Sequence, residues 1–164
     1  MEKGKYFDLN FSVLGYITPK NGRFTIIPQL YGRFSYVPDR EHIPLSLTNL
    51  YGNEIAGRHF EGQMPFIGIR SIDADDSSIM SILRGDLRYN FYGKHYLTAM
   101  YNVLLSWDIL GQGNISDLFA LATQGAGLKY SYNTKVGPVS LTGYWSRAYE
   151  ENHFGAYFSF GYIF

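Results

Sequence analysis

The clearest pattern in the sequence is the alternation of its last twelve residues, from His153 to Phe164. One set of positions is aromatic apart from a single alanine, and the other set is mostly small or polar. A period of two predicts a β-strand. Twelve residues also exceed the roughly 9–11 that a tilted strand needs to cross a bilayer. The question for the rest of the chain is whether such an aromatic face meets lipid or a protein core.

Similar alternation recurs in six earlier segments, so the sequence predicts an all-β fold, an antiparallel up-and-down meander of about seven long strands. Asn21 and Gly22 form a strong hairpin signal between the first two strands. Pro28 lies within the second strand and has no N–H for a ladder, which predicts an edge or a bulge there. The predicted strands cover residues 5–17, 23–36, 78–92, 95–107, 124–134, 138–147 and 153–164.

Short and longer connections alternate along the predicted meander. Every short turn would therefore lie at one end of the sheet, as in outer-membrane barrels with short periplasmic turns and long outer loops. We expect residues 37–77 to form a long outer loop. The short connections lie near 18–22, 92–94 and 134–138, and the other longer ones cover 107–124 and 147–152.

Composition helps to decide which face meets lipid. Charged residues make up 17% of the chain, against about 25% in ordinary soluble domains. The polar faces of the predicted strands are largely Asn, Ser, Thr, Tyr and Gly, whereas a soluble lipocalin-like ligand-binding barrel would need a charged outer face. This pattern favours a C-terminal segment of a transmembrane β-barrel. An interfacial aromatic girdle is predicted at Tyr6, Tyr16, Tyr96, Trp107 and Trp145.

No constellation for chemistry emerges. The formal net charge is zero and basic residues are scattered, so the sequence gives no case for nucleic-acid binding. The chain lacks cysteine, a Gly-x-Ser-x-Gly motif and a phosphate-binding glycine loop. Asp73, Asp75 and Asp76 could bind a calcium ion at an outer loop, but the sequence favours a solvated acidic turn. We predict no catalytic residue, no metal and no cofactor; the histidines without metal spacing are His42, His59, His95 and His153.

Arg84, Asp86 and Arg88 share one face of a single predicted strand. They could grip a loop that folds into the barrel lumen. The alternative is a solvated ladder on the lumen wall, with cross-strand charge pairs worth a few tenths of a kcal/mol each. The residues alone favour the ladder.

Three segments carry a family resemblance. Gln63 to Arg70, followed by five strands that include Gly125 to Val139, resembles the C-terminal end of the surface-antigen barrel superfamily, which includes outer-membrane assembly and two-partner secretion pores. Together with Tyr92 to Ala99, the first segment is most similar to the barrel attached to bacterial patatin-like phospholipases. The resemblance implies a bacterial outer-membrane protein.

In that superfamily an arginine-glycine-aromatic loop tucks into the lumen and contacts an acidic residue on a nearby strand. The resemblance implies that Asp86 or Arg88 lies on the lumen wall, beside Arg84. Ile67 stands where the usual arginine would be, which leaves Arg70 as a substitute. The implied lumen-loop residues are Phe66, Gly68 and Arg70.

The resemblance also implies partners. The last strand would be the signal recognised by the outer-membrane assembly machinery, and its candidate residues are Phe158, Phe160, Tyr162 and Phe164. Any enzyme activity would belong to a serine lipid hydrolase domain upstream of these residues. Seven strands leave two open edges, which lipid does not tolerate. We therefore expect missing N-terminal strands of the same polypeptide, or another copy, to complete the barrel in the lipid bilayer. No export signal precedes the first strand, so either the chain is not exported or Met1 is not the natural start of the full polypeptide.

Overall fold

The structure, a computed structural model, describes residues 6–20, 22–36, 49–52, 63–69, 72–75, 77–107, 122–148 and 151–161. Within these residues all regular secondary structure is β. The strands are β1 (Phe7–Leu14), β2 (Phe24–Tyr36), β3 (Asn49–Gly52), β4 (Ile72–Asp75), β5 (Ile79–Tyr92), β6 (His95–Trp107), β7 (Thr123–Thr134), β8 (Gly137–Ala148) and β9 (Glu151–Phe160).

Seven of these strands form one sheet in the order β1-β2-β5-β6-β7-β8-β9. Each neighbouring pair is antiparallel, so the predicted seven-stranded up-and-down meander is confirmed. Among the described residues, β1 and β9 each pair on one side only, which leaves two edges. Strands β3 and β4 pair with each other in a separate small sheet.

The side chains of the large sheet divide into two faces. The face called the outer face below is apolar and exposed on every strand, because alternate residues of a strand point to the same side. Phe154, at 76% exposure, is the extreme case. The exposed apolar residues of the outer face include Phe7, Leu9, Phe11 and Val13 of β1, Ile26 of β2, Leu83 and Leu87 of β5, Leu97 and Tyr101 of β6, Leu128 and Tyr130 of β7, Leu141 of β8, and Phe158 and Phe160 of β9.

The opposite face, called the inner face below, is mostly polar. Its side chains are largely buried on β5, β6 and β8. Met80, Ile82 and Leu104 are apolar exceptions, and they pack under residues 63–69. The polar members of this face include Asp8, Gln29, Arg33, Arg84, Asp86, Thr98, Asn102, Lys129, Ser140, Thr142, Ser146 and Ser159.

Two predicted connections differ from the structure. The stretch predicted as the outer loop 37–77 contains β3 and β4. The predicted longer connection 147–152 is wrong, because Arg147 pairs with Asn152 and Ala148 with Glu151, and only two residues separate β8 from β9. Polar side chains there continue the ladder, since ladder bonds use the main chain and tolerate polar residues at a sheet end.

Pro28 is neither at an edge of the sheet nor at a bulge. Strand β2 is paired on both sides, and the register with β1 and with β5 does not shift at this residue. The Pro28 carbonyl accepts a hydrogen bond from the Gly15 N–H at 2.9 Å, just beyond the last residue of β1. Pro28 therefore lacks its N–H on the side that faces β1, where the β1 ladder ends. Only one ladder hydrogen bond is lost.

The aromatic girdle is only partly as predicted. Trp107 and Trp145 lie on the outer face towards the end of the sheet opposite the β1–β2, β5–β6 and β7–β8 turns, and the Trp145 indole donates to Asn152 Oδ1 at 3.0 Å. Tyr96 instead lies on the inner face, because its place in the β6 alternation is that of Thr98. At the other end of the sheet, Phe24 stacks on Tyr89 with ring centroids 4.4 Å apart.

The two faces of β1 allow a matched test of which side meets lipid. We expect Val13→Arg, on the outer face, to destabilise the protein in a bilayer. The free energy of unfolding should fall by about 2–4 kcal/mol, since a charge near the midplane is costly. Ser12→Arg, one residue earlier and on the inner face, is the control and should cost far less. Urea titration of the chain folded into vesicles measures both, and equal losses would contradict the assignment of the faces.

Candidate functional site

The candidate site is built around residues 63–69, called the inner-face segment below. Strand β3 holds one end of it, because Tyr51 and Met64 form a parallel bridge. The Gly52 N–H donates to the Met64 carbonyl at 3.0 Å, and the Met64 N–H donates to the Leu50 carbonyl at 2.8 Å. Gln63 Nε2 also donates to the Gly52 carbonyl at 3.1 Å. The main chain of β3 thus fixes where the segment enters the inner face.

An apolar cluster buries the segment against the sheet. Phe66 is fully buried, and its ring meets Tyr51 edge-on with centroids 6.0 Å apart. Burying a side chain of this size contributes roughly 1.5–3 kcal/mol. The members of this cluster are Tyr51, Met64, Phe66, Met80, Ile82 and Leu104.

Two buried polar side chains bind the main chain of the segment. Asn102 Oδ1, on β6, accepts a hydrogen bond from the Ile67 N–H at 2.9 Å. Ser146 Oγ, on β8, donates to the Gly68 carbonyl at 2.9 Å. Both side chains are fully buried. Gly68 has φ +98°, and a Cβ there would overlap the Ser146 side chain. The turn therefore needs glycine for its backbone angle and for space.

A glycine between these two anchors makes room for the segment. In the sheet register Asn102 lies opposite Gly125, and Gly125 lies opposite Ser146, so the three form one row across β6, β7 and β8. A Cβ on Gly125 would overlap the Ile67 carbonyl oxygen. The row therefore consists of two polar anchors on either side of a gap into which the backbone of the segment fits.

The Ile67 side chain occupies a second small cluster. It packs with Met100 and Tyr144, and Tyr157 lies against them. Gly127 leaves space here as well, since a Cβ at that position would come within 3.2 Å of Ile67 Cγ2.

Arg84 and Asp86 form a buried ion pair along β5. Arg84 Nε donates to Asp86 Oδ1 at 2.8 Å, and Arg84 Nη2 donates to Asp86 Oδ2 at 2.9 Å. Both side chains are only 7% exposed. Gln29 Nε2, from β2, donates to Asp86 Oδ2 at 3.3 Å. The solvated cross-strand ladder favoured in the sequence analysis is therefore wrong for these two residues, because they pair within one strand and away from water.

A second bidentate pair joins β1 to β2. Arg33 Nε and Nη2 donate to the two carboxylate oxygens of Asp8 at 2.8 and 2.9 Å. The Arg33 side chain is 4% exposed. This geometry is the strong, orienting form of an arginine–carboxylate contact. Each acidic side chain of β1 and β5 on the inner face is thus paired with an arginine.

A groove of about 480 Å³ lies on the inner face beside these residues, towards the short turns. Arg88 is exposed, and no ion-pair partner for it is found in the described part of the chain. The residues described here contain no group of three or more histidine, aspartate or glutamate side chains placed to hold a metal ion. The groove is lined in part by Arg84, Asp86, Arg88, Tyr96, Thr98, Lys129, Ser131 and Ser140.

A family model described as the OMP85 superfamily matches residues 51–164, which is more than half of the chain. The chain belongs to the OMP85 superfamily. This superfamily consists of bacterial outer-membrane β-barrel proteins, and its barrel domains are not enzymes. The predicted barrel superfamily and the all-β barrel-segment fold are therefore confirmed. No curated protein is significantly similar to the chain. No α-helix in the described ranges has the length and apolarity of a membrane-spanning helix.

The structure brings some of the predicted site residues of this OMP85 chain together and separates others. Phe66 and Gly68 lie on the inner face, but the side-chain hydrogen bonds that the large sheet makes to the main chain of their segment come from β6 and β8. Asp86 is paired with Arg84 instead, and Arg88 faces the groove. Arg70 lies outside the described residues, so the lumen-loop and wall roles stay predictions.

The closing-strand residues divide in the same way. Phe158 and Phe160 are exposed on the outer face of β9. Tyr162 and Phe164 lie outside the described residues, as do His42, His59 and Asp76, and the side chains of Asp73 and Asp75 are also not described. The role of the closing strand as an assembly signal stays a prediction.

Sequence analysis missed the row formed by Asn102, Gly125 and Ser146. Alternation marks all three as inner-face positions but does not say which of them meet across strands. One available signal was the pair Gly125 and Gly127 within a single strand, because glycine in a strand often marks the close approach of another backbone.

The close approach at Gly125 gives a direct test of segment docking. We expect Gly125→Ala to displace residues 63–69 from the inner face, since the added methyl group would overlap the Ile67 carbonyl. Because the chain lacks cysteine, Met64→Cys supplies a single buried reporter. Its labelling by a water-soluble maleimide should be slow alone and at least several-fold faster with Gly125→Ala. Gly143→Ala is the control, because a Cβ there meets nothing within 4 Å.

The buried ion pair gives a stability prediction. Asp86→Asn should lower the free energy of unfolding by about 3–5 kcal/mol, because it leaves the buried guanidinium of Arg84 without its counter-charge. The double variant Arg84→Gln/Asp86→Asn removes both charges and should lose much less. Urea titration of the folded chain measures both, and a double variant as unstable as the sum of its single changes would contradict the pairing.

Proposed function

We propose that this chain forms part of the wall of an outer-membrane barrel that anchors a larger protein, with the inner-face segment occupying the lumen. The separation of the two faces carries the proposal. Apolar side chains are exposed on the outer face of all seven strands, while ion pairs and hydroxyl groups lie on the inner face. Membrane barrels have this arrangement, with an apolar band outside and a polar interior.

The larger protein in this proposal is a patatin-like phospholipase. The support is the resemblance of Gln63 to Arg70 and of Tyr92 to Ala99 to the barrel of that family. These residues contribute no chemistry, and hydrolysis of lipid esters belongs to a serine–aspartate dyad in the upstream domain. The barrel holds that domain at the membrane where its substrate lies.

The second candidate is an assembly or secretion pore of the surface-antigen type. Membership of the OMP85 superfamily favours it, since the superfamily includes such pores. In that case the groove beside Arg88 would belong to a water-filled passage. A soluble lipocalin-like barrel is opposed by the structure's faces, because its apolar residues would line the interior around a ligand.

The edges of the sheet define the partners in this proposal. Within the described part of the chain, β1 and β9 have no strand partner on one side, and lipid penalises each unpaired main-chain group by several kcal/mol. Further strands of the same polypeptide, or of another copy, cover these edges. The assembly machinery recognises the closing strand through Phe158, Phe160, Tyr162 and Phe164.

Lipid hydrolysis by the parent polypeptide tests the phospholipase proposal. We expect the coding sequence upstream of Met1 to specify a Gly-x-Ser-x-Gly motif. Changing that serine to alanine should abolish phospholipid hydrolysis and leave the amount in the outer membrane unchanged. A parent without the motif that conducts ions in planar bilayers would instead support the pore.

Deleting Phe164 from the same parent tests the closing strand. The deletion should lower the amount of protein in the outer membrane, because the recognition residue is lost. Phe164→Tyr keeps an aromatic ring and is the control. Unchanged membrane levels after the deletion would refute the assembly signal without affecting the hydrolysis result.

A further inference from the structure

Basic residues without acidic neighbours in sequence collect around three short turns at one end of the sheet. No aspartate or glutamate occurs in residues 9–38, 87–107 or 118–149, which contain the β1–β2, β5–β6 and β7–β8 turns and the strand parts next to them. The same ranges hold eight lysine and arginine residues. The segments that connect the other pairs of neighbouring strands, 37–78, 108–122 and 149–150, hold ten acidic and three basic residues. The end of the sheet with these three turns is therefore basic although the formal net charge of the chain is zero.

Four of the basic residues lie in or beside the short turns and are called the basic rim below. Lys20 and Arg23 flank the β1–β2 turn, Lys94 is in the β5–β6 turn, and Lys135 is in the β7–β8 turn. All four side chains are exposed. No ion pair links any of them to another residue that the structure describes. The rim therefore presents four positive charges that no described residue pairs.

The outer face shows what lies next to the basic rim. Aromatic rings collect on this face within a few residues of the short turns, where Tyr130 also meets His95 Nδ1 through its hydroxyl group at 2.7 Å. Aromatic residues of this kind mark the boundary between hydrocarbon and headgroups. The rings are Phe24, Tyr89, Phe91, Tyr130, Tyr132 and Phe160.

The distance from these rings to the rim matches a headgroup layer. Lys94 follows Phe91 by three residues, and Lys135 follows Tyr132 by three. A strand rises about 3.3 Å per residue, and both lysines lie in the turns that follow, so each lies within about 10 Å of its ring along the strand axis, the depth expected for a headgroup layer next to the hydrocarbon. We propose that the basic rim binds the headgroups of anionic phospholipids in the leaflet next to the short turns.

Two other cations at this end do not belong to the rim. Arg88 and Lys129 lie on the inner face and line the groove. In the register each lies opposite Thr98, on its two sides. Both residues add positive charge to this end of the sheet, but neither lies on the face that meets lipid. Removing them therefore tests whether net charge alone, without headgroup contact, affects binding.

The test compares how the parent polypeptide, with the strands that cover the edges of β1 and β9, partitions into vesicles of phosphatidylcholine alone and of phosphatidylcholine mixed with phosphatidylglycerol. The ratio of the two partition coefficients isolates the anionic lipid. Each basic residue close to an anionic surface strengthens binding by roughly fivefold. The rim variant Lys94→Gln/Lys135→Gln should therefore lower the ratio by about 25-fold, and added salt should reduce the ratio for the unchanged chain.

Two further variants complete the comparison. Arg88→Gln/Lys129→Gln removes the same charge from the inner face at the same end of the sheet, and its ratio should stay that of the unchanged chain. Lys94→Arg/Lys135→Arg keeps the charge and should also keep the ratio. An unchanged ratio for the rim variant would overturn the proposal, and so would an equal fall for the charge-matched variant.

This inference rests on the outer face lying in lipid, and the two can fail separately. Loss of binding to phosphatidylcholine alone would contradict the membrane-anchor function itself. Normal binding to that neutral lipid, without an effect of the rim variant on the ratio, would contradict only the basic rim. A circular-dichroism spectrum of each bound variant verifies that the β-sheet has formed.

Discussion

The structure depends on keeping one register across seven antiparallel strands. Each ladder bond fixes which residues point to the outer face, and a slip of one residue would exchange the two faces. Phe158 would then face the interior, and the paired carboxylate of Asp86 would face lipid. Such a slip would be costly, because it would move polar groups and an ion pair into lipid, and an apolar medium penalises both.

The same register builds the site. Asn102, Gly125 and Ser146 come from three strands and lie side by side only because the pairings of β6, β7 and β8 bring them into one row. Arg84 continues this row on β5. A hydrogen-bond acceptor, a gap and a donor are thus presented to the main chain of the inner-face segment. The sheet acts as a template for a loop that belongs to a different part of the sequence.

The strands could be predicted from sequence because alternation is a local property. The faces could also be predicted, since the choice between lipid and core followed from the low charge of the polar positions. The docking row could not, because it requires the pairing of residues far apart in the chain. The role of Asp86 as a partner of the loop came from the family resemblance and stays a prediction, although Arg84, two residues away on the same face, forms an ion pair with it.

Errors at the strand ends have a simpler cause. Arg147 and Asn152 were assigned to a loop because they are polar, yet they pair across β8 and β9. At the end of a strand a polar side chain can reach water, so polarity no longer separates ladder from loop. Pro28 shows the same weakness of local rules, because its missing donor falls where β1 ends and therefore disturbs neither neighbour's register.

The position of Ile67 explains why this chain docks its segment with neutral groups. An arginine at this position would seek a carboxylate, whereas isoleucine offers only its main chain for polar contacts and its side chain for packing. The structure provides for both, with Asn102 accepting from the Ile67 N–H and with Met100 and Tyr144 against the side chain. Such contacts are screened little by salt, unlike exposed charges. Hydrogen bonds and packing hold the inner-face segment, whereas the proposed contact of the basic rim with headgroups is electrostatic. Added salt should therefore weaken the headgroup contact without releasing the segment.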